Sequence, residues 1–189
     1  MITDIKINVK SICFGNEDIE LIFGDTVIPF YASYMGPEPI STLLDSLIAL
    51  EVELIENADQ SYSVSWADEP GYLTLDMWKK KESDILHSEV KFNNEGDGEY
   101  HKEEEWELEL SYQCYREAVL NESIRLLKQY GIDGFNRNWC NGNDTFPLNS
   151  LLILLGNTSK YNQETECSYS DIFSELKILA RAIKGINAE

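Results

Sequence analysis

The chain has 189 residues, 43% of them hydrophobic, which is enough for one globular domain spanning 1–189 and too much for disorder. Its 34 acidic residues against 15 basic ones give a formal charge of −19. Such a field repels phosphate backbones and anionic membranes, so no nucleic-acid or membrane partner is expected, and it attracts basic proteins.

Ile5, Ile7, Val9, Ser11 and Cys13 alternate with polar residues and predict a half-buried strand. Gly15-Asn16 starts a turn, and Ile19, Leu21 and Phe23 alternate again before Gly24-Asp25. The apolar run from Val27 to Tyr34 predicts a third strand, with Pro29 confining it to a sheet edge or a bulge. Gly36-Pro37-Glu38-Pro39 breaks the pattern. Ser41 or Thr42 can sit at the start of a helix expected from about Pro39 to Leu54, with Leu43, Leu44, Leu47, Ile48 and Leu50 at helical spacing.

Tyr62, Val64 and Trp66, then Leu73, Leu75 and Met77, then Ile85 to Phe92, read as an antiparallel meander, with Glu69-Pro70-Gly71-Tyr72 as a turn. Asn93 to Lys102 is polar and predicts a loop. From Trp106 to Cys114 the even positions are mostly apolar while Glu103, Glu105, Glu107 and Glu109 take the odd ones, so a strand with one acidic face is expected. Ala118 to Tyr130 switches to helical spacing and Gly131 ends it. Ile132 to Asp144 reads as a loop. A short helix follows with Pro147 in its first turn, Asn157 to Ser168 is a polar stretch, and a last helix starts at Asp171. Strands first and helices later predict an α+β fold, a mostly antiparallel sheet with three to five helices packed on it. Ile7, Val9, Leu21, Leu47, Val64, Leu75, Leu110, Leu127, Leu152 and Leu176 are the expected core.

Templates for nucleophilic, nucleotide-dependent and metal-dependent chemistry fail on residue supply. The two histidines, His87 and His101, stand 14 residues apart, and Cys13, Cys114, Cys140 and Cys167 form no CxxC pair, so neither cofactor nor metal is expected. Widely spaced cysteines and an N-terminus without a basic start and apolar run predict a reduced, cytoplasmic chain, in which the sequons at Asn121, Asn143 and Asn157 are chance matches. Asp68 and Glu69, flanked by Trp66 and Tyr72, are the one pair that suggests acid–base hydrolysis. The plainer reading is a hairpin turn with solvated acids.

Between Glu82 and Glu122 there are 13 acidic and 3 basic residues, a net of 3 − 13 = −10. On the strand, Glu103, Glu105, Glu107 and Glu109 form either a docking face for a basic partner or a charged guard against edge-to-edge aggregation. A second candidate surface is the stretch with Phe135, Arg137 and Trp139, residue types typical of binding anchors. Its alternative is a plug of the core.

Tyr31-Ala32-Ser33-Tyr34-Met35-Gly36, Leu43-Leu44-Asp45, Trp66 and Glu69-Pro70-Gly71 together resemble a family of small bacterial proteins similar to the immunity proteins of polymorphic and contact-dependent toxin systems. The resemblance covers roughly the first 80 residues, and the Trp139 to Pro147 stretch. It rests on turn and packing residues and transfers no functional residue. The acidic charge and the aromatic anchors predict a protein-binding module for a basic partner, acting as monomer or homodimer, and the resemblance implies an immunity protein with a toxin as that partner. The rival expectations are the carboxylate enzyme and a structural or assembly subunit whose acidic surface serves solubility.

Overall fold

The computed structural model describes residues 1–13, 15–33, 35–52, 60–68, 71–94, 102–139, 145–156, 160–162, 167–169 and 171–185. Glu69, His101, Cys140, the sequon residues Asn143 and Asn157, and most of the expected 93–102 loop lie outside them. The chain divides into two compact units, Met1–Phe146 and Pro147–Glu189. The fold is α+β, with antiparallel sheets of three and four strands and four helices.

The first unit opens with a meander of β1 (Ile5–Cys13), β2 (Asn16–Phe23) and β3 (Thr26–Ser33). Pro29 sits on β3 at the sheet edge, where its missing N–H costs least. Ile5, Ile7 and Val9 point inward, as the alternation predicts. The pattern then breaks: the register slips between Val9 and Ser11, leaving Lys10 as an extra residue. This bulge reverses the parity, so Ile12 is buried while Ser11 and Cys13 face outward. Lys10 reaches Glu20 across the strands at 2.5 Å.

Helix α1 (Pro39–Val52) follows a tight approach to the second sheet. A Cβ on Gly36 would stand 3.0 Å from the Ala67 backbone nitrogen, a contact that only glycine avoids. The helix is capped by Glu38, not by Ser41 or Thr42. One Glu38 oxygen accepts the Ile40 N–H at 2.7 Å, and the other accepts the Ser41 N–H and O–H, each at 2.6 Å. Thr42 instead accepts the Trp66 indole N–H at 2.9 Å, and Trp66 stacks on Phe30 with ring centroids 5.3 Å apart.

The second sheet runs β4 (Tyr62–Asp68), β5 (Gly71–Lys79), β6 (Ile85–Asn94) and β7 (Lys102–Ser111), each antiparallel to the last. Val64, Trp66, Leu73, Leu75, Met77, Leu86, Val90 and Leu110 are buried on one face. Ile2 forms a parallel bridge with Leu110, tying the start of the chain to β7. Helix α2 (Tyr112–Trp139) packs on β1 and β7 and touches α1, which covers β4 and β5.

Two expectations about α2 are corrected. Tyr112 and Cys114 belong to the helix, because Ser111 and Asp84 build a start for it. Asp84 accepts the Gln113 N–H at 2.9 Å and the Ser111 O–H at 2.7 Å, while Ser111 Oγ accepts the Cys114 N–H at 3.3 Å. At the other end Gly131 breaks the helix with φ 65° and ψ 176°, but helix resumes to Trp139 where a loop was expected. Ile132, Phe135 and Trp139 carry the helical spacing of that last segment.

In the second unit α3 (Leu148–Leu154) follows Pro147, and β8 (Lys160–Asn162) pairs with β9 (Cys167–Tyr169) inside the stretch read as plain polar chain. Helix α4 (Ile172–Gly185) starts at Asp171, whose carboxylate accepts the Phe173 N–H at 3.2 Å and the Ser174 O–H at 2.8 Å. Of the ten expected core residues, Leu127 is half-buried and Leu176 is 54% exposed. The other eight are buried.

Candidate acidic docking face

Pairing register decides which side chains share the face of the second sheet opposite its core. Across β5, β6 and β7 the rows are Trp78–His87–Glu109, Asp76–Glu89–Glu107, Thr74–Lys91–Glu105 and Tyr72–Asn93–Glu103. Glu103, Glu105, Glu107 and Glu109 are all exposed, as their alternation predicts. Asp76 and Glu89, which come from other strands, join them. This face therefore carries six carboxylates and one lysine, Lys91. Alternation within β7 was enough to find four of the six acids. Asp76 and Glu89 needed the register, because like charges directly opposite each other repel and sequence pattern argues against pairing them.

Lys91 is held between two of the acids, 3.0 Å from Glu89 and 3.4 Å from Glu105. Its hydrogen bonds to Glu89 and Glu105 hold the ammonium above its usual pKa. His87 stacks on Trp78 with centroids 5.5 Å apart, and its Nδ1 lies 3.9 Å from Glu109. Asn93 donates to the Tyr72 hydroxyl at 3.2 Å. Two open hollows lie on this surface. One, of about 260 Å³, is bordered by Trp78, His87, Glu89, Glu107 and Glu109. The other, of about 570 Å³, is bordered by Tyr72, Thr74, Lys91, Asn93, Glu103 and Glu105. Each combines an aromatic ring with carboxylates, the combination that receives ammonium or guanidinium groups.

Among the described residues, the two rings of the second expected surface point into the core. Phe135 and Trp139 are fully buried, and Phe135 packs edge-on against Phe146 at 5.2 Å. The inward stripe of the resumed helix takes both rings into the core. Only Arg137 stays outside, paired with Asp133 one turn back at 2.9 Å. Of the Asp68 and Glu69 pair, Glu69 lies outside the described residues. Asp68 is half-buried at the end of β4; burial raises its pKa, and a hydrogen bond from the Tyr31 N–H opposes that rise. That bond ties β4 to β3. Trp66, its aromatic neighbour in sequence, lies in the core.

Among the described residues, no three His, Cys, Asp or Glu side chains are grouped to hold a metal ion. Cys13 and Cys114 are free thiols. No described helix is long and apolar enough to cross a membrane. Comparison with family models, with curated proteins and with solved structures yields no match.

Proposed function

We propose that the chain is a protein-binding module that docks a basic protein on the outer face of β5, β6 and β7. The observation that carries this reading is the six-to-one excess of carboxylates over lysine on one face, with four acids on successive outward positions of β7. Successive outward residues stand about 6.7 Å apart, inside the Debye length of about 8 Å at physiological salt, so their fields add. An approaching cationic surface gains that summed attraction, while the rings of Trp78 and Tyr72 offer it flat apolar contact. The resemblance to immunity proteins makes a basic toxin the partner class.

The reading is tested with a peptide carrying lysine at alternate positions as a model cationic strand. Removing three interacting charges at roughly 0.5 kcal/mol each predicts that Glu105→Gln/Glu107→Gln/Glu109→Gln weakens binding about tenfold at low salt, mostly through the on-rate. The loss should fade as salt rises. A charge-matched control, Asp25→Asn/Glu117→Gln/Asp133→Asn, removes exposed acids elsewhere in the first unit and should bind like the parent. Equal losses in the two triple variants would reduce the effect to net charge and remove the face from the proposal.

A further inference from the structure

Glu17 has no exposed surface. It occupies an inward position of β2, paired in register with Ile12 on β1 and Ala32 on β3, both buried. Neither of its oxygens receives a hydrogen bond from a donor. An ionised carboxylate in that position would lose its hydration and gain no hydrogen bond in return.

Two more acids face it. Glu38, at the start of α1, is also buried, but its oxygens already accept the Ile40 N–H, the Ser41 N–H and the Ser41 O–H. Those donors and the positive end of the helix favour charge on Glu38. Glu122 of α2 accepts the Val9 N–H at 2.7 Å and two hydrogen bonds from Arg125, at 2.6 and 2.7 Å. The nearby charge on β1, Lys10, is turned outward to Glu20, and β3 brings no acid or base to this point except Tyr31, which is exposed. Among the described residues, the cation hydrogen-bonded to this group is Arg125, and it is held by Glu122.

We propose that Glu17 keeps its proton in the folded protein at neutral pH and donates it to Glu38, making a proton-dependent latch between β2 and the start of α1. Burial, then the charge of Glu38, then their hydrogen bond and the charge of Glu122, push the Glu17 pKa well above the ordinary carboxylate range. Burial raises Glu38 too, opposed by its Ser41 and Ile40 hydrogen bonds and by the one from Glu17, so the proton resides on Glu17. The sign follows from linkage. A folded-state pKa above the unfolded value means the native chain binds the extra proton. Stability is therefore full below the ordinary carboxylate range and falls as pH rises through the raised pKa.

Infrared spectra of the intact protein at pH 7 should show the carbonyl band of a buried protonated carboxylic acid, and Glu17→Gln should abolish it. The glutamine amide can donate to Glu38 at any pH. Within the titration window the unfolding constant of the parent should therefore rise with pH more steeply than that of the variant, by up to a factor of ten per pH unit, the weight of one proton. The spectrum of the parent decides the matter even where the variant folds poorly. Absence of the acid band in the parent, its survival in Glu17→Gln, or parallel pH dependences of the two proteins would overturn the latch.

Discussion

A tryptophan next to arginine, glycine and asparagine has the composition of a binding anchor, yet Trp139 has no surface to offer a partner. Its ring and that of Phe135 fill space under the end of α2. Trp139→Ala should therefore lower stability by about 3–5 kcal/mol through the cavity it leaves. Denaturant unfolding checks this, and Arg137→Ala, on an exposed side chain, should leave the midpoint nearly unchanged. A midpoint shift for Trp139→Ala no larger than that of Arg137→Ala would mean that the ring is not core. The start of α1 shows the reverse at the same scale: sequence offers Ser41 or Thr42 as its cap, but in space Glu38 caps the helix and Ser41 is one of its donors. Residue type alone does not report burial, since side chains far apart in sequence create it.

Elements were easier to read than their ends and irregularities. The strands of both meanders and the body of each long helix follow from periods of two and 3.6, because one face of each must be apolar to be buried. The bulge at Lys10 and the restart of helix beyond Gly131 escaped that logic. A single extra residue reverses a strand's faces without changing composition. At Gly131 the backbone lies in a region that side chains avoid, while a Cβ there would meet nothing within 4 Å. Gly131→Ala should therefore cost about 2 kcal/mol through backbone strain alone. Thermal melts would measure it, and circular dichroism would show whether the helix straightens to avoid the cost. A melting temperature equal to the parent's without added helix would argue against the strained geometry.

At the scale of the whole molecule the acidic face sets a trade between stability and encounter. Asp76, Glu89 and Glu107 stand in one row across three strands, and Glu107 has acids on either side along β7. Relieving that repulsion in Glu105→Gln/Glu107→Gln/Glu109→Gln should raise stability by about 0.5–1 kcal/mol at low salt, less whatever is lost with the Lys91 and His87 contacts. The gain should vanish near 1 M salt, where the Debye length falls to about 3 Å. Melts at two salt concentrations provide the check; a variant that is less stable at low salt would show that the acids are held by local pairing and not strained by their neighbours. The same substitutions that stabilise the fold should slow capture of a cationic probe, a combination expected where charge is placed for binding.

The sequence by itself determined the α+β class, the inward residues of β1 as far as Val9 and of β2, β4 and β5, and the four aligned glutamates of β7. Those features depend on local period, and period survives without knowledge of neighbours. Only the tertiary structure decided that Asp76 and Glu89 join those glutamates, that Phe135 and Trp139 do not form a surface, and that Glu17, Glu38 and Glu122 meet in the interior. Each of these depends on strand register or on helix docking between residues far apart in the chain. Glu17 and Glu122 are separated by 105 positions (122 − 17); the alternation of Ile19, Leu21 and Phe23 puts Glu17 on the inward face of β2, but only the docking of α2 brings Glu122 near it.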